Sequence, residues 1–204
     1  MNKSLKILFT YNGIFVFASY LLGSLYAIFA ENITKDVFLV SITVSTLFVS
    51  TTIFTYLISK YGDRVKEKEY LLLSSYLVRA VTWFCFAFAK NIQAIIILQF
   101  LMGIGVSLGD SSWSAMFAEH LDENKHINEY ATWHLISTIL GAVSTLIGGL
   151  IVKNFGFSLL FFIMSALAAI SFFGILLTKE TFVICKKTPN FSVFKTNQRK
   201  ILPL

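Results

Sequence analysis

The chain has 204 residues, 56% of them hydrophobic and only 14% charged, with a mean hydropathy of +0.73 and a formal net charge of +6. That balance excludes an ordinary soluble domain, which carries more charge and shorter apolar runs. The positive charge does not point to nucleic acid, because the lysines and arginines flank long apolar segments, where orientation in a bilayer calls for them.

A spanning helix needs about 20 mostly apolar residues. Six segments meet this requirement: Ile7–Ala30, Val37–Ser59, Leu71–Ala89, Ile92–Phe117, Ala131–Val152 and Phe157–Leu177. The first follows Lys3 and Lys6 in the manner of a signal peptide. Its run is longer than a usual signal core and is interrupted by Tyr11 and Asn12, so a retained first helix is expected. The sequence thus divides into a six-helix membrane bundle over 1–178 and a basic tail over 179–204, read as cytoplasmic and as a linker that could touch anionic headgroups. The termini and the two longer loops hold thirteen lysines and arginines, while Lys35, Lys90 and Lys153 are the three on the other side. Positive residues stay on the cytoplasmic side, so both termini are expected there, with the plasma membrane as the setting.

Two charges fall inside spans. Arg79 lies in the third segment, eight residues from Leu71, and Asp110 lies in the fourth, eight residues before Ala118. The two helices run in opposite directions about a two-residue loop, so both groups belong at one depth. Each costs about 2.5–3.5 kcal/mol near a helix centre. The nine Leu, Phe and Val residues of the third segment, at roughly −0.4 kcal/mol each, just offset one arginine. Arg79 and Asp110 are therefore expected to pair or to share a polar cavity. Their use would be solute binding or proton coupling, with Asp110 as the candidate proton carrier; a purely structural pair is the alternative.

Gln99 precedes Asp110 by eleven residues, which places both on one helix face. Gly103 lies on that face. Gly105 and Gly109 form a small-xxx-small step suited to close helix contact. In the first segment Asn12, Ser19, Gly23 and Tyr26 recur at helical spacing, a cavity face or a packing face. The second segment is rich in hydroxyls that can bond back to their own helix. The fifth carries Gly141, Ser144, Thr145 and Gly148, with Gly149 adjacent, again a packing stripe.

Metal and enzyme chemistry find little support. His120, His126 and His134 cluster near the cytoplasmic side, and His120 and His126 lie in a loop among acidic residues that reads as solvated charge rather than a metal site. Cys85 and Cys185 are poorly placed for a disulfide and lack metal-ligand spacing. An intramembrane serine protease would need a histidine on a later helix, and the last helix has none. No cofactor, metal or catalytic residue is expected.

Three motifs give the chain a resemblance to the N-terminal half of a major facilitator superfamily transporter. Between the second and third segments, Ser59-Lys60-Tyr61-Gly62-Asp63-Arg64-Val65-Lys66-Glu67-Lys68 is similar to the family's loop signature at Asp63, Arg64 and Lys68, while Ser59 and Lys66 replace its glycines and Glu67 a basic residue. In the fourth segment, Gln99-Phe100-Leu101-Met102-Gly103-Ile104-Gly105 matches a family motif at Gly103 and Gly105, with Gln99 in place of its arginine; Arg79 could supply the missing charge. In the fifth, Gly148 and Gly149 match an antiporter motif, whereas Ser144 and Thr145 replace its glycine and proline.

The resemblance implies an all-α membrane protein whose six helices form two inverted three-helix repeats, half of the family's fold. It implies a secondary transporter moving a small solute, with or without protons, by alternating access, with Asp63, Arg64 and Lys68 in a gating loop. Asp110, Arg79, Gln99 and Asn12 would line or couple the cavity, and Gly103, Gly105, Gly109, Gly148 and Gly149 would serve packing. The family uses twelve helices, so six call for a second copy, a partner six-helix chain, or a continuation that this sequence lacks. A non-transporting accessory protein or inactive remnant is the rival reading.

Overall fold

The computed structural model describes residues 3–62, 68–119, 121 and 126–186. Among them are seven helices and no strand: α1 Lys3–Leu22, α2 Leu25–Thr34, α3 Val37–Tyr61, α4 Lys68–Phe86, α5 Ile92–Glu119, α6 His126–Phe155 and α7 Phe157–Lys186. The extra helix arises because the first expected span is broken. α1 and α2 meet at 46°, and Gly23 between them sits at φ +36°, outside the right-handed helical region. The break withdraws the carbonyl of Tyr20 from the ordinary helical ladder, and Thr145 of α6 donates its hydroxyl to that oxygen at 3.3 Å. α7 continues to Lys186, eight residues beyond the expected boundary at 178; residues 187–204 lie outside the described residues.

The remaining ends have local causes. Asp36 precedes α3 in an extended conformation, and its carboxylate accepts from the backbone N–H of Phe38 at 2.7 Å, a side-chain N-cap. Asn91 does the same for α5, accepting from Ala94 at 2.8 Å. Gly156, at φ +82°, lets α6 turn into α7 with a single-residue connection.

α3, α5, α6 and α7 are each long and apolar enough to cross a membrane, and the bent pair α1–α2 makes a fifth span. The third expected segment forms α4, which falls short on its own: 19 residues carrying Glu69, Arg79 and several hydroxyls. Its neighbours shield it. α4 packs along both α5 and α7 and buries Leu72, Leu73, Tyr76, Ala80, Trp83 and Phe86. A helix screened from lipid by protein need not be uniformly apolar.

The packing has an internal symmetry. α3 packs on α5 while α6 packs on α1; α4 packs on α5 while α7 packs on α1; and α4 and α7 pack on each other. Exchanging the first three spans for the last three maps each of these contacts onto another. An odd number of crossings separates equivalent spans, so equivalent spans run in opposite directions, which is the inverted three-helix repeat of half a transporter fold. The equivalent helices α3 and α6 sit at the flanks: only 17% of the apolar window of each is buried, against 44% for α5.

Small residues set the closest approaches. A Cβ at Gly103 would lie 2.6 Å from that of Ser50 on α3, whose hydroxyl donates to the Phe100 carbonyl at 2.7 Å. A Cβ at Gly105 would lie 2.5 Å from the Arg79 Cγ, and one at Gly109 would overlap the Ser75 hydroxyl. Ser75 in turn donates to the Gly105 carbonyl at 2.8 Å. A Cβ at Gly148 would overlap the Leu21 carbonyl. Gly149 departs from expectation: nothing lies within 4 Å of its added Cβ, so it points away from the bundle and packs no helix here. Most α3 hydroxyls bond back one turn, as Ser41, Thr46, Thr51 and Thr52 do.

Gly148→Ala should destabilise the bundle by about 1–3 kcal/mol, since a backbone carbonyl must move to admit the methyl group. Gly149→Ala should leave stability unchanged. Thermal unfolding of the two purified variants in one detergent measures the difference.

Candidate functional site

α1, α4, α5 and α6 line a half-open cavity of about 280 Å³. Its polar lining comes from Asn12 and Ser19 on α1, Tyr76 and Arg79 on α4, Asp110 on α5 and Ser137 on α6. Phe15, Trp113 and Trp133 supply much of the rest. The α1 positions 12, 15, 16, 19 and 20 recur at helical spacing and form one stripe. Tyr76 and Arg79, three apart, form the corresponding stripe on α4.

Arg79 is half-buried, with its stem against Gly105. Its guanidinium carbon stands 4.4 Å over the Phe15 ring and 5.5 Å over Trp83. Its Nη2 donates to the Ser19 hydroxyl at 3.2 Å, and its Nε is buried with no hydrogen-bond partner. Cation–π contact is worth about 2 kcal/mol when desolvated, so the two rings offset part of the cost of burial. Asn12 is buried, and its side-chain oxygen accepts from the Tyr76 hydroxyl at 2.7 Å. That bond ties α1 to α4 below the arginine.

Asp110 lies one residue beyond Gly109, which is beside the Arg79 Nη1: a Cβ at Gly109 would stand 3.9 Å from it. The equal depth read from the hairpin therefore holds. The two charges share the cavity and line its wall together, but no ion pair within 4.0 Å joins them. Asp110 is exposed and accepts no hydrogen bond from a described residue. Of the two expectations, pairing or sharing, the geometry is that of sharing.

Gln99 is not part of this cavity. It is buried at 4% exposure, and its amide lies beside the Tyr26 hydroxyl, which donates to Thr43 at 2.7 Å. Eleven residues separate it from Asp110 by about 16 Å along the α5 axis. It belongs to a separate polar contact among α2, α3 and α5. Of the loop residues, Asp63 and Arg64 lie outside the described residues. Lys68 starts α4 and pairs with Glu119 at the end of α5, bridging the two helices at the end of the bundle that bears both termini.

Tyr76, Trp113, Trp133 and Ser137 were not singled out as cavity residues by sequence reasoning. Tyr76 could have been found from its i−3 relation to Arg79. The tryptophans form a cluster with Phe9 and Phe117: Trp113 and Trp133 centroids are 4.5 Å apart, and Trp113 stacks on Phe117 at 5.6 Å. This cluster floors the cavity on the side of the termini. At the opposite end Phe29, Phe86 and Phe161 pack together, with Phe29 and Phe161 centroids 4.9 Å apart, and dock the α2 stub onto α4 and α7.

No curated protein matches the chain. Among solved structures, the fold is similar to an in meso crystal structure of the POT family transporter PepTSo, with a TM-score of 0.74 at 17% identity over 88% of this chain. The match spans 38% of that transporter, so the chain corresponds to well under half of its length. Residues 8–195 match the sequence model of the Major Facilitator Superfamily, and the chain belongs to that superfamily.

Proposed function

We propose that the chain is one half of a secondary transporter that moves a small solute through the cavity around Arg79 by alternating access. The observation that carries this reading is the pair of opposite charges, Arg79 and Asp110, held in one intramembrane cavity without neutralising each other. A structural pair would close on itself. Intramembrane ionisable groups that face a cavity mark solute and ion pathways.

One bundle cannot enclose a route with two alternating openings. The other half is a second copy of the chain or another six-helix unit, and the two rock about the midplane. The flanking helices α3 and α6, with exposed Phe48, Ile53, Leu146 and Leu150, offer apolar faces for that partner or for lipid. Asp110 would exchange a proton with the solvent as the cavity opens, coupling solute movement to a gradient. Asp63, Arg64 and Lys68 would gate the side bearing the termini, which the charge bias assigns to the cytoplasm. The setting is then the plasma membrane, with the tail inside.

A non-transporting accessory role is the second reading. Uptake decides between them. Proteoliposomes holding the chain with its other half should accumulate solute when an inward proton gradient is imposed. Asp110→Asn should cut that accumulation at least about tenfold, as removal of a relay carboxylate does; unchanged uptake removes Asp110 from the mechanism.

The separation of the two charges makes a further outcome specific. The double variant Arg79→Leu with Asp110→Leu should remain folded and fail to transport. Preserved uptake in that variant would show that the charges only set helix register.

A further inference from the structure

We infer that the solute carries a carboxylate, and that Arg79 is its docking point. This deepens the reading of the cavity as the transport site and rests on it. A guanidinium has five N–H donors in a planar fork. Here one donates to Ser19, Nε is buried without a partner, and no described carboxylate lies within ion-pair distance, so the Nη groups are left to a ligand. Phe15 and Trp83 lie to one side of the group at 4.4 and 5.5 Å, their centroids 5.6 Å apart, so a ligand approaches from the other side. A guanidinium with unfilled N–H donors is the group that a carboxylate meets with charge-assisted hydrogen bonds.

The surroundings narrow the class further. The other polar groups around the cavity, on Asn12, Ser19, Tyr20, Tyr76 and Ser137, are uncharged. Asp110 is the single described acid on the wall, and it stands apart from the arginine. An anion therefore meets a guanidinium that no carboxylate within 4.0 Å engages directly. Phe15, Trp113 and Trp133 offer contact to an apolar body attached to the carboxylate. At about 280 Å³ the cavity lies just under the usual range of about 300–1,000 Å³ for small-molecule sites. It holds the head of a small solute and leaves the remainder to the facing half.

The test uses thermal unfolding of the purified full chain in detergent, with probes that share an alkyl body and differ in the head: butyrate, butylamine and butanol. Leucine and inorganic phosphate complete the series. A ligand that binds the folded state alone raises the unfolding temperature with concentration. Butyrate or leucine should give a saturable rise, and butylamine and butanol none. A rise with butyrate identifies a simple carboxylate as sufficient; a rise with leucine alone assigns the cationic end to Asp110 and a zwitterion as solute. No rise with either, or a rise confined to phosphate or butylamine, overturns the proposal. Arg79→Gln should abolish the butyrate or leucine shift, and Arg79→Lys should weaken the apparent affinity by about tenfold, since lysine keeps the charge and loses the fork. A shift that survives in Arg79→Gln also overturns it. The comparison among probes on the unmodified chain decides the matter even where a variant fails to fold. Binding without uptake in proteoliposomes would sink the transport reading and leave the docking site standing; uptake that ignores Arg79 would do the reverse.

Discussion

A guanidinium kept inside an apolar bundle with no carboxylate in direct ion-pair contact sets the terms for the structure around it. Arg79 can stay there because two aromatic rings and one hydroxyl take up part of its charge, and because Gly105 leaves room for its stem. These partners come from three helices, so α1, α4 and α5 must be in register for any of them to work. Tyr76 and Asn12 fix α1 against α4 one turn away, and Ser75 fixes α4 against α5. The same demand explains why α4 is the least apolar of the spans and yet among the most enclosed. Protein, rather than lipid, is its solvent.

The broken first span belongs to the same arrangement. A continuous helix through Gly23 would satisfy its own backbone. The break gives up part of that ladder, and α6 supplies the compensation: the Thr145 hydroxyl meets the Tyr20 carbonyl, and Gly148 admits the Leu21 carbonyl at close range. α1 thus leans on α6 at the level of the break, just above Ser19 and Tyr20 on the cavity wall. In the repeat, α5 is the equivalent of α1, and its equivalent approach is Gly103 against Ser50 of α3. Both crossings are made by a glycine against a small residue or a backbone oxygen, as close helix contact in a membrane requires.

Much of this was legible in the residues. Run length located the apolar helices, and the short hairpin between the third and fourth segments put Arg79 and Asp110 at one depth. What was missed follows from the limits of one-dimensional periodicity. Direction around a helix placed Gln99 with Asp110, but height along the axis separates them, and Gln99 sits with Tyr26 and Thr43 instead. A glycine at position 23 carries no sign that the helix breaks there; the break is stabilised by α6, more than a hundred residues away. Gly148 and Gly149 read alike in sequence, and one packs while the other faces outward, because one residue is 100° of turn.

The outward-facing residues acquire a common meaning in a half-size bundle. Asp110 is exposed on the cavity wall, Gly149 meets nothing, and α3 and α6 leave most of their apolar surface uncovered. In a self-sufficient bundle an exposed intramembrane carboxylate would be a cost of a few kcal/mol with no return. Across a facing half it becomes the part of the site that changes surroundings as the halves move, while Arg79, anchored by three helices, does not. On the proposed function, a fixed cationic anchor beside a carboxylate whose environment alternates would be the division of labour for coupled movement of an anionic solute, and it would follow from Arg79 finding its partners within this bundle while Asp110 does not.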